Sequence, residues 1–84
     1  MKGRRVYCNP GDVLPLLAEP GDYGKDESGL WYCRPPVTGV SAGCLSAHQV
    51  IEHDDGTITV SPSILITDGR RTYHGFLIRG EWNP

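Results

Sequence analysis

Three cysteines and three histidines are the residues of this 84-residue chain whose chemistry could reach beyond packing. Cys33 and Cys44 are followed by His48 and, farther on, by His74, while Cys8 stands apart near the start. A closed zinc site needs four Cys or His ligands in tetrahedral array, usually with one short chelate. Cys44-x3-His48 is an acceptable chelate, and Cys33, Cys44 and His74 make the candidate ligand set. The competing expectation is packing, because free cysteine behaves as a small hydrophobe and is among the most buried residue types. We take packing as the working expectation, with no cofactor, and zinc as the alternative. A Cys44 nucleophile served by His48 or His74 would need a lowered thiol pKa, commonly from a helix N-terminus or a positioned imidazole. No helical pattern is present to supply that dipole.

Other chemistry is thinner still. Asp54-Asp55 precedes Gly56, where Asp is favoured for local backbone hydrogen bonds. The glycines between Pro20 and Gly29 lead into no helix that could cradle a phosphate. Catalysis is not expected. What remains is surface. Trp31, Phe76 and Trp82 are candidates for the core, at least two of them, which leaves Tyr7, Tyr23 and Tyr73, with Arg70 and Arg71, for a contact face. The acidic residues Asp22, Asp26 and Glu27 could extend that face, as an acidic loop can imitate nucleic-acid phosphate before a basic partner.

The elements that must position these residues are short strands. Between Ala47 and Trp82 the chain twice runs β-branched residues into Asp-Gly, at Asp55-Gly56 and Asp68-Gly69, and out again. Asp-Gly takes the positive φ angles of tight hairpins, and Val, Ile and Thr suit a pleated surface. A two-residue turn at Asp55-Gly56 would place Ile51, His53, Ile58 and Val60 on one side, with Glu52, Asp54, Thr57 and Thr59 on the other. Pro62 is expected to end a strand after Ser61. Arg79-Gly80 reads as a last turn that folds Trp82 back onto the sheet. Upstream, Arg4–Cys8 reads as a strand, Val13–Ala18 as an edge piece interrupted by Pro15, Pro20–Gly29 as a mobile polar loop, Leu30–Cys33 as a core strand and Val37–Ser46 as a loop. The expectation is an all-β, mainly antiparallel domain over residues 1–84. Its five or six short strands would form a single sheet or a barrel-like wrap, with little or no helix.

Composition agrees. Hydrophobic residues make up 38% of the chain, and 11 Gly with 7 Pro favour turns over a helix bundle. The formal charge of −2, with no block of Lys and Arg, argues against a nucleic-acid binder, whose affinity rests on phosphate contacts. Arg70, Arg71 and Arg79 would carry a weak version of that function. Met-Lys-Gly-Arg-Arg is followed by no apolar stretch, so no export leader is expected. No segment approaches the roughly 20 apolar residues of a membrane span. An odd cysteine count speaks for a reducing compartment.

The order Trp31-Tyr32-Cys33, Cys44, Asp55–Ile64 (DGTITVSPSI), His74-x-Phe76-Leu77 and Gly80-Glu81-Trp82 resembles an uncharacterised phage and prophage family. Its members, often mislabelled ammonia monooxygenase in phage genomes, look like small zinc-ribbon-like proteins. The resemblance covers residues 30–82, and Ser61-Pro62-Ser63-Ile64 is its most specific piece. Pro35-Pro36 and Tyr73 stand where the family would carry further cysteines. The resemblance implies a non-enzymatic phage accessory protein in the bacterial cytoplasm. Such a protein would bind a protein or ribonucleoprotein complex, for example as a stoichiometric, anti-CRISPR-like inhibitor of a defence machine. A zinc-stabilised structural module is the alternative. A homodimer through exposed strand edges is compatible with either.

Overall fold

The computed structural model describes residues 1–37 and 40–84. Among them the chain forms eight strands and no helix. The first sheet runs, in order, β1 (Arg4–Arg5), β2 (Asp22–Lys25), β3 (Trp31–Cys33) and β4 (Gly43–Cys44). The second runs β5 (Gln49–Glu52), β6 (Ile58–Asp68), β7 (Arg71–Ile78) and β8 (Glu81–Asn83). Among the described residues only β1 and β2 pair in parallel. The all-β, mainly antiparallel expectation holds, but the strands described number eight instead of five or six and form two sheets instead of one, with no closed barrel. Tyr23 and Cys33 of the first sheet share a core with Ile58, Val60, Ile64, Tyr73, Leu77 and Trp82 of the second.

The second sheet follows its turns, although the second of them lies one residue later than the expected Asp68-Gly69. Gly69-Arg70 closes the β6–β7 hairpin, with φ +62 at Gly69, and Arg79-Gly80 closes β7–β8 with φ +46 and +77. Positive φ at the first central residue (Gly69) or at both (Arg79 and Gly80) marks turns whose twist matches the flanking strands. The β5–β6 loop is one residue longer than expected. His53 N–H donates to the Thr57 carbonyl (2.8 Å) and Gly56 N–H to the His53 carbonyl (3.0 Å), so Asp54-Asp55-Gly56 is a three-residue loop. That extra residue sets Val50 opposite Val60 and Glu52 opposite Ile58. A one-residue slip exchanges the faces of a strand. Ile51, expected inside, is therefore exposed, and Glu52 takes the inward side.

Pro62 does not end its strand. β6 runs through it, and the register against β7 shifts between Val60 and Ile64. A bulged residue has no ladder partner, so the missing N–H breaks no pairing there.

The first sheet departs most from expectation. Pro20–Gly29 is not a loose loop, because Asp22, Tyr23 and Gly24 are buried in β2. The strand expected over Arg4–Cys8 is confined to Arg4–Arg5, and Val13–Ala18 joins no strand. Within the loop expected at Val37–Ser46, Thr38 and Gly39 lie outside the described residues, and Gly43–Cys44 pairs with β3 as β4.

One short segment belongs to both sheets. Trp82 N–H donates to the Met1 carbonyl (2.7 Å), Lys2 bridges Glu81, and Gly3 N–H donates to the Gly80 carbonyl (2.7 Å). Directly after it, Arg4 and Arg5 pair with β2, and Val6 N–H donates to the Tyr23 carbonyl (2.8 Å). The crossing point is Gly3. A Cβ there would lie 2.6 Å from the Gly21 carbonyl oxygen and 2.8 Å from the Trp82 indole nitrogen. That indole N–H donates to the same carbonyl (2.9 Å), so a buried donor is satisfied across the two sheets.

Gly3→Ala forces backbone apart at this crossing. We expect a loss of about 1–3 kcal/mol of stability, read from urea unfolding. An unchanged midpoint would show that the segment is not pinned.

Candidate functional site

Polar chemistry gathers where the two sheets meet beside the β5–β6 loop. Arg5 projects from β1 and donates from one nitrogen to the Glu52 carboxylate (3.0 Å) and the Gly56 carbonyl (2.8 Å). Its guanidinium lies over the Tyr7 ring at 4.4 Å and the Trp31 ring at 4.7 Å. Lys25 of β2 donates to the other oxygen of Glu52 (3.0 Å) and sits 5.4 Å from the Trp31 centroid. The Arg5 side chain is 10% exposed while its carboxylate partner is 40% exposed. A weakly hydrated planar cation stacked on rings suits that half-desolvated place better than an ammonium would. The cluster clamps the sheets and has no spare carboxylate for general acid–base work. Sequence reading missed it, since adjacent arginines at a strand end look solvated.

A shallow recess of about 360 Å³ adjoins the clamp, lined by Glu52, His53, Asp54, Asp55 and Arg79. Most of its polar groups are already engaged. Asp55 accepts from the Thr57 amide (3.0 Å) and hydroxyl (2.6 Å), and these bonds, the hydroxyl's first, hold its carboxyl below the usual range. Asp26 repeats the arrangement with the amide and hydroxyl of Ser28 and is shifted the same way for the same reason. The loops share a frame as well: Asp26 N–H donates to the Leu30 carbonyl and Gly29 N–H to the Asp26 carbonyl. The common signal, Asp-x-Ser/Thr beside a loop glycine, was present in the sequence.

The histidines serve the backbone and hydroxyls. His48 donates from Nε2 to the Ser63 carbonyl at the bulge (3.1 Å), and His74 bonds the Ser63 hydroxyl (2.9 Å). His53 bonds the Thr59 hydroxyl (2.7 Å). The expected zinc ligands do not converge. Cys33 is buried and Cys44 exposed on the neighbouring strand, where Cys44 pairs with Tyr32 and Cys33 with Gly43, so the two thiols point to opposite faces. His74 lies exposed on the outer side of the other sheet. Among the described residues no group of three or more metal-ligating side chains comes together. Burial pushes the Cys33 thiol up to about 12, the opposite of what a nucleophile or ligand needs.

The expected contact face is dispersed too. Tyr23 and Asp22 are each 1% exposed, and Asp22 is held by a bidentate pair with Arg4 (3.1 and 2.7 Å). Tyr73 is buried edge-on against Trp82, with centroids 5.5 Å apart. Asp26 is occupied in its loop and Glu27 is exposed beside it. Tyr7 is exposed over Arg5, and Arg70 and Arg71 sit at the far tip of the β6–β7 ribbon. Of the expected core aromatics, Trp82 is fully buried, Trp31 packs against the core from its edge, and Phe76 points outward.

Phe76 is not alone. The outer side of the second sheet exposes Ile51, Leu65, Phe76 and Ile78, each by 45% or more. Phe76 and Ile78 alternate on β7, Leu65 lies opposite His74 one step along, and Ile51 lies opposite Thr59 beside Ile78. These four side chains share one side of the sheet, with Thr59 between Ile51 and Ile78 and His74 beside Leu65, and the inner positions of the same strands contribute to the core.

No protein-family model matches the chain, and no curated protein or solved structure matches it either. Among the described residues no helix is long and apolar enough to cross a membrane.

The Glu52 carboxyl is held below its ordinary 4.5, chiefly by the Lys25 hydrogen bond and then by that of Arg5. Its support is therefore complete above about pH 4.5 and is lost as pH falls through the lower folded value. Glu52→Gln should lose about 0.5–1 kcal/mol at neutral pH and show a flatter acid limb in urea unfolding. Equal acid limbs for the two proteins would remove the clamp from the account. A thiol-alkylating reagent at neutral pH should modify Cys44 in the folded protein and reach Cys33 only on unfolding. Mass spectrometry after brief exposure decides this, and early labelling of Cys33 would contradict its burial.

Proposed function

We propose that this protein acts by binding a macromolecular partner through the outer face of the β5–β8 sheet, and not by catalysis. The observation that carries this reading is the field of Ile51, Leu65, Phe76 and Ile78 on a sheet whose other side already forms the core. An antiparallel sheet with one solvated face normally alternates apolar inside with polar outside. Monomeric proteins rarely leave a contiguous apolar patch of more than a few hundred Å² open to water, and larger ones mark contact sites. Rigid strands also present these side chains with little ordering cost on binding. That the partner belongs to a bacterial host or defence complex rests on the family resemblance alone.

Phe76→Asp alters an exposed position and should leave thermal unfolding close to that of the parent. In parallel captures with tagged protein, the parent and Val13→Ser, a change at another exposed site, should retain the same partner. Phe76→Asp should weaken that binding about thirtyfold, the usual scale of a central aromatic anchor. Equal retention by Phe76→Asp would move the function off this face.

A further inference from the structure

We propose that Asp68 is a modification site, converting spontaneously to isoaspartate in the folded protein, while Asp55, in the same Asp-Gly sequence, is protected from that reaction. The Gly69 main-chain nitrogen attacks Cγ of the Asp68 carboxyl. Its proton leaves with a carboxyl oxygen as water, and a succinimide ring forms. Water then adds back to one of the two ring carbonyls. Addition at Cγ restores aspartate. Addition at the main-chain carbonyl leaves the chain running through Cγ, with the α-carboxylate as a side group. No oxidant or other co-reactant enters, and the mass is unchanged. Glycine is the favourable following residue because it has no Cβ to crowd the attacking nitrogen.

The fold treats the two Asp-Gly pairs oppositely. At Asp55 the reacting groups are engaged. The carboxylate accepts from the Thr57 amide and hydroxyl, Gly56 N–H donates to the His53 carbonyl (3.0 Å), and the Gly56 carbonyl accepts from Arg5 (2.8 Å). The Tyr7 hydroxyl covers Gly56, 2.8 Å from where a Cβ would stand. These contacts keep the carboxylate ionised, which makes it a poor electrophile, and stop the nitrogen from turning toward it. At the β6–β7 tip, the Asp68 carboxylate accepts one hydrogen bond among the described residues, from the Ser41 amide (3.1 Å). Gly69 N–H donates to no group among the described residues, and a Cβ at Gly69 would meet nothing within 4 Å. Residues 68–71 are all exposed. The end of an exposed hairpin opens more readily than its middle, so the rotation that brings nitrogen to Cγ costs little there. The product matters because of what Asp68 holds. Isoaspartate lengthens the ribbon by one main-chain carbon, breaks the Asp68–Arg71 pairing, and withdraws the acceptor from Ser41, next to the buried Val40.

Prolonged warm incubation of the intact chain at neutral pH tests this. Digestion with a protease that cuts before aspartate but not before isoaspartate, followed by electron-transfer fragmentation in the mass spectrometer, locates the product. In the folded protein isoaspartate should accumulate at position 68 at least about tenfold faster than at position 55, where three hydrogen bonds must open first. In concentrated urea the two positions should react at similar rates, because their local sequences are alike. Thr57→Val removes one of the protecting bonds and should speed the reaction at position 55 by about threefold while leaving position 68 unchanged. Asp68→Glu should abolish the product at position 68, since its longer side chain would have to close a larger ring. Equal rates at the two positions in the folded protein overturn the inference. So does a folded chain that stays unmodified at position 68 under conditions in which the unfolded chain reacts, or a Thr57→Val chain with no gain at position 55.

Discussion

The structure depends on one backbone crossing, where residues 1–5 leave the edge of one sheet and enter the other. Met1–Gly3 complete the β8 edge, and Arg4–Arg5 complete the β2 edge. Unpaired edges are costly when buried and prone to aggregate when exposed, and this segment closes two of them with five residues. Trp82 makes the arrangement specific. Its ring is the largest fully buried side chain, and its indole N–H reaches the Gly21 carbonyl across the core. The side chain thus contributes hydrophobic area and one directional bond at the point where backbones pass closest. Glycine at position 3 is a condition of that proximity.

With the sheets joined at one side by backbone, the Arg5–Glu52–Lys25 cluster joins them at the open loop end. Its aromatic shelves explain why Tyr7 and Trp31 are not wholly buried: each gives one face to a cation. The inner side of the second sheet is consumed by the core, and its β5–β6 loop is held by a carboxylate–hydroxyl contact of its own. The outside of β5–β8 is left unassigned, and large apolar side chains are exposed there, as they also are at Val13, Leu14 and Leu16.

The second sheet was legible in the sequence because its turn residues and β-branched runs coincide. Arg79-Gly80 and the return of Trp82 could be read directly. The register of the first hairpin could not, since Asp54-Asp55-Gly56 suits a two- or a three-residue loop equally, and the choice exchanges Ile51 for Glu52 on the inner side. The first sheet was nearly silent. Strands of two to four residues are too short to show alternation, and β2, Asp22-Tyr23-Gly24-Lys25, has the composition of a turn. Its burial is imposed by tertiary contacts: Arg4 neutralises Asp22, and Val6 and Pro15 lie too close for anything but glycine at position 24. The candidate ligands Cys33, Cys44 and His74 do not come together for a related reason. Cysteine spacing along the chain says nothing about which side of a strand each thiol occupies.

The pairing of residues 1–3 with residues 80–82 has a kinetic meaning. Contacts at that sequence separation are the slowest to form, because nearly the whole chain must be ordered as a loop before they contribute. During synthesis Met1–Gly3 wait, unpartnered, until residue 82 has emerged, while Arg4–Arg5 can already pair with β2 and the β6–β7 hairpin can already have closed. Commitment to the native topology is therefore a late, ring-closing event, and the chain has little means of folding by halves.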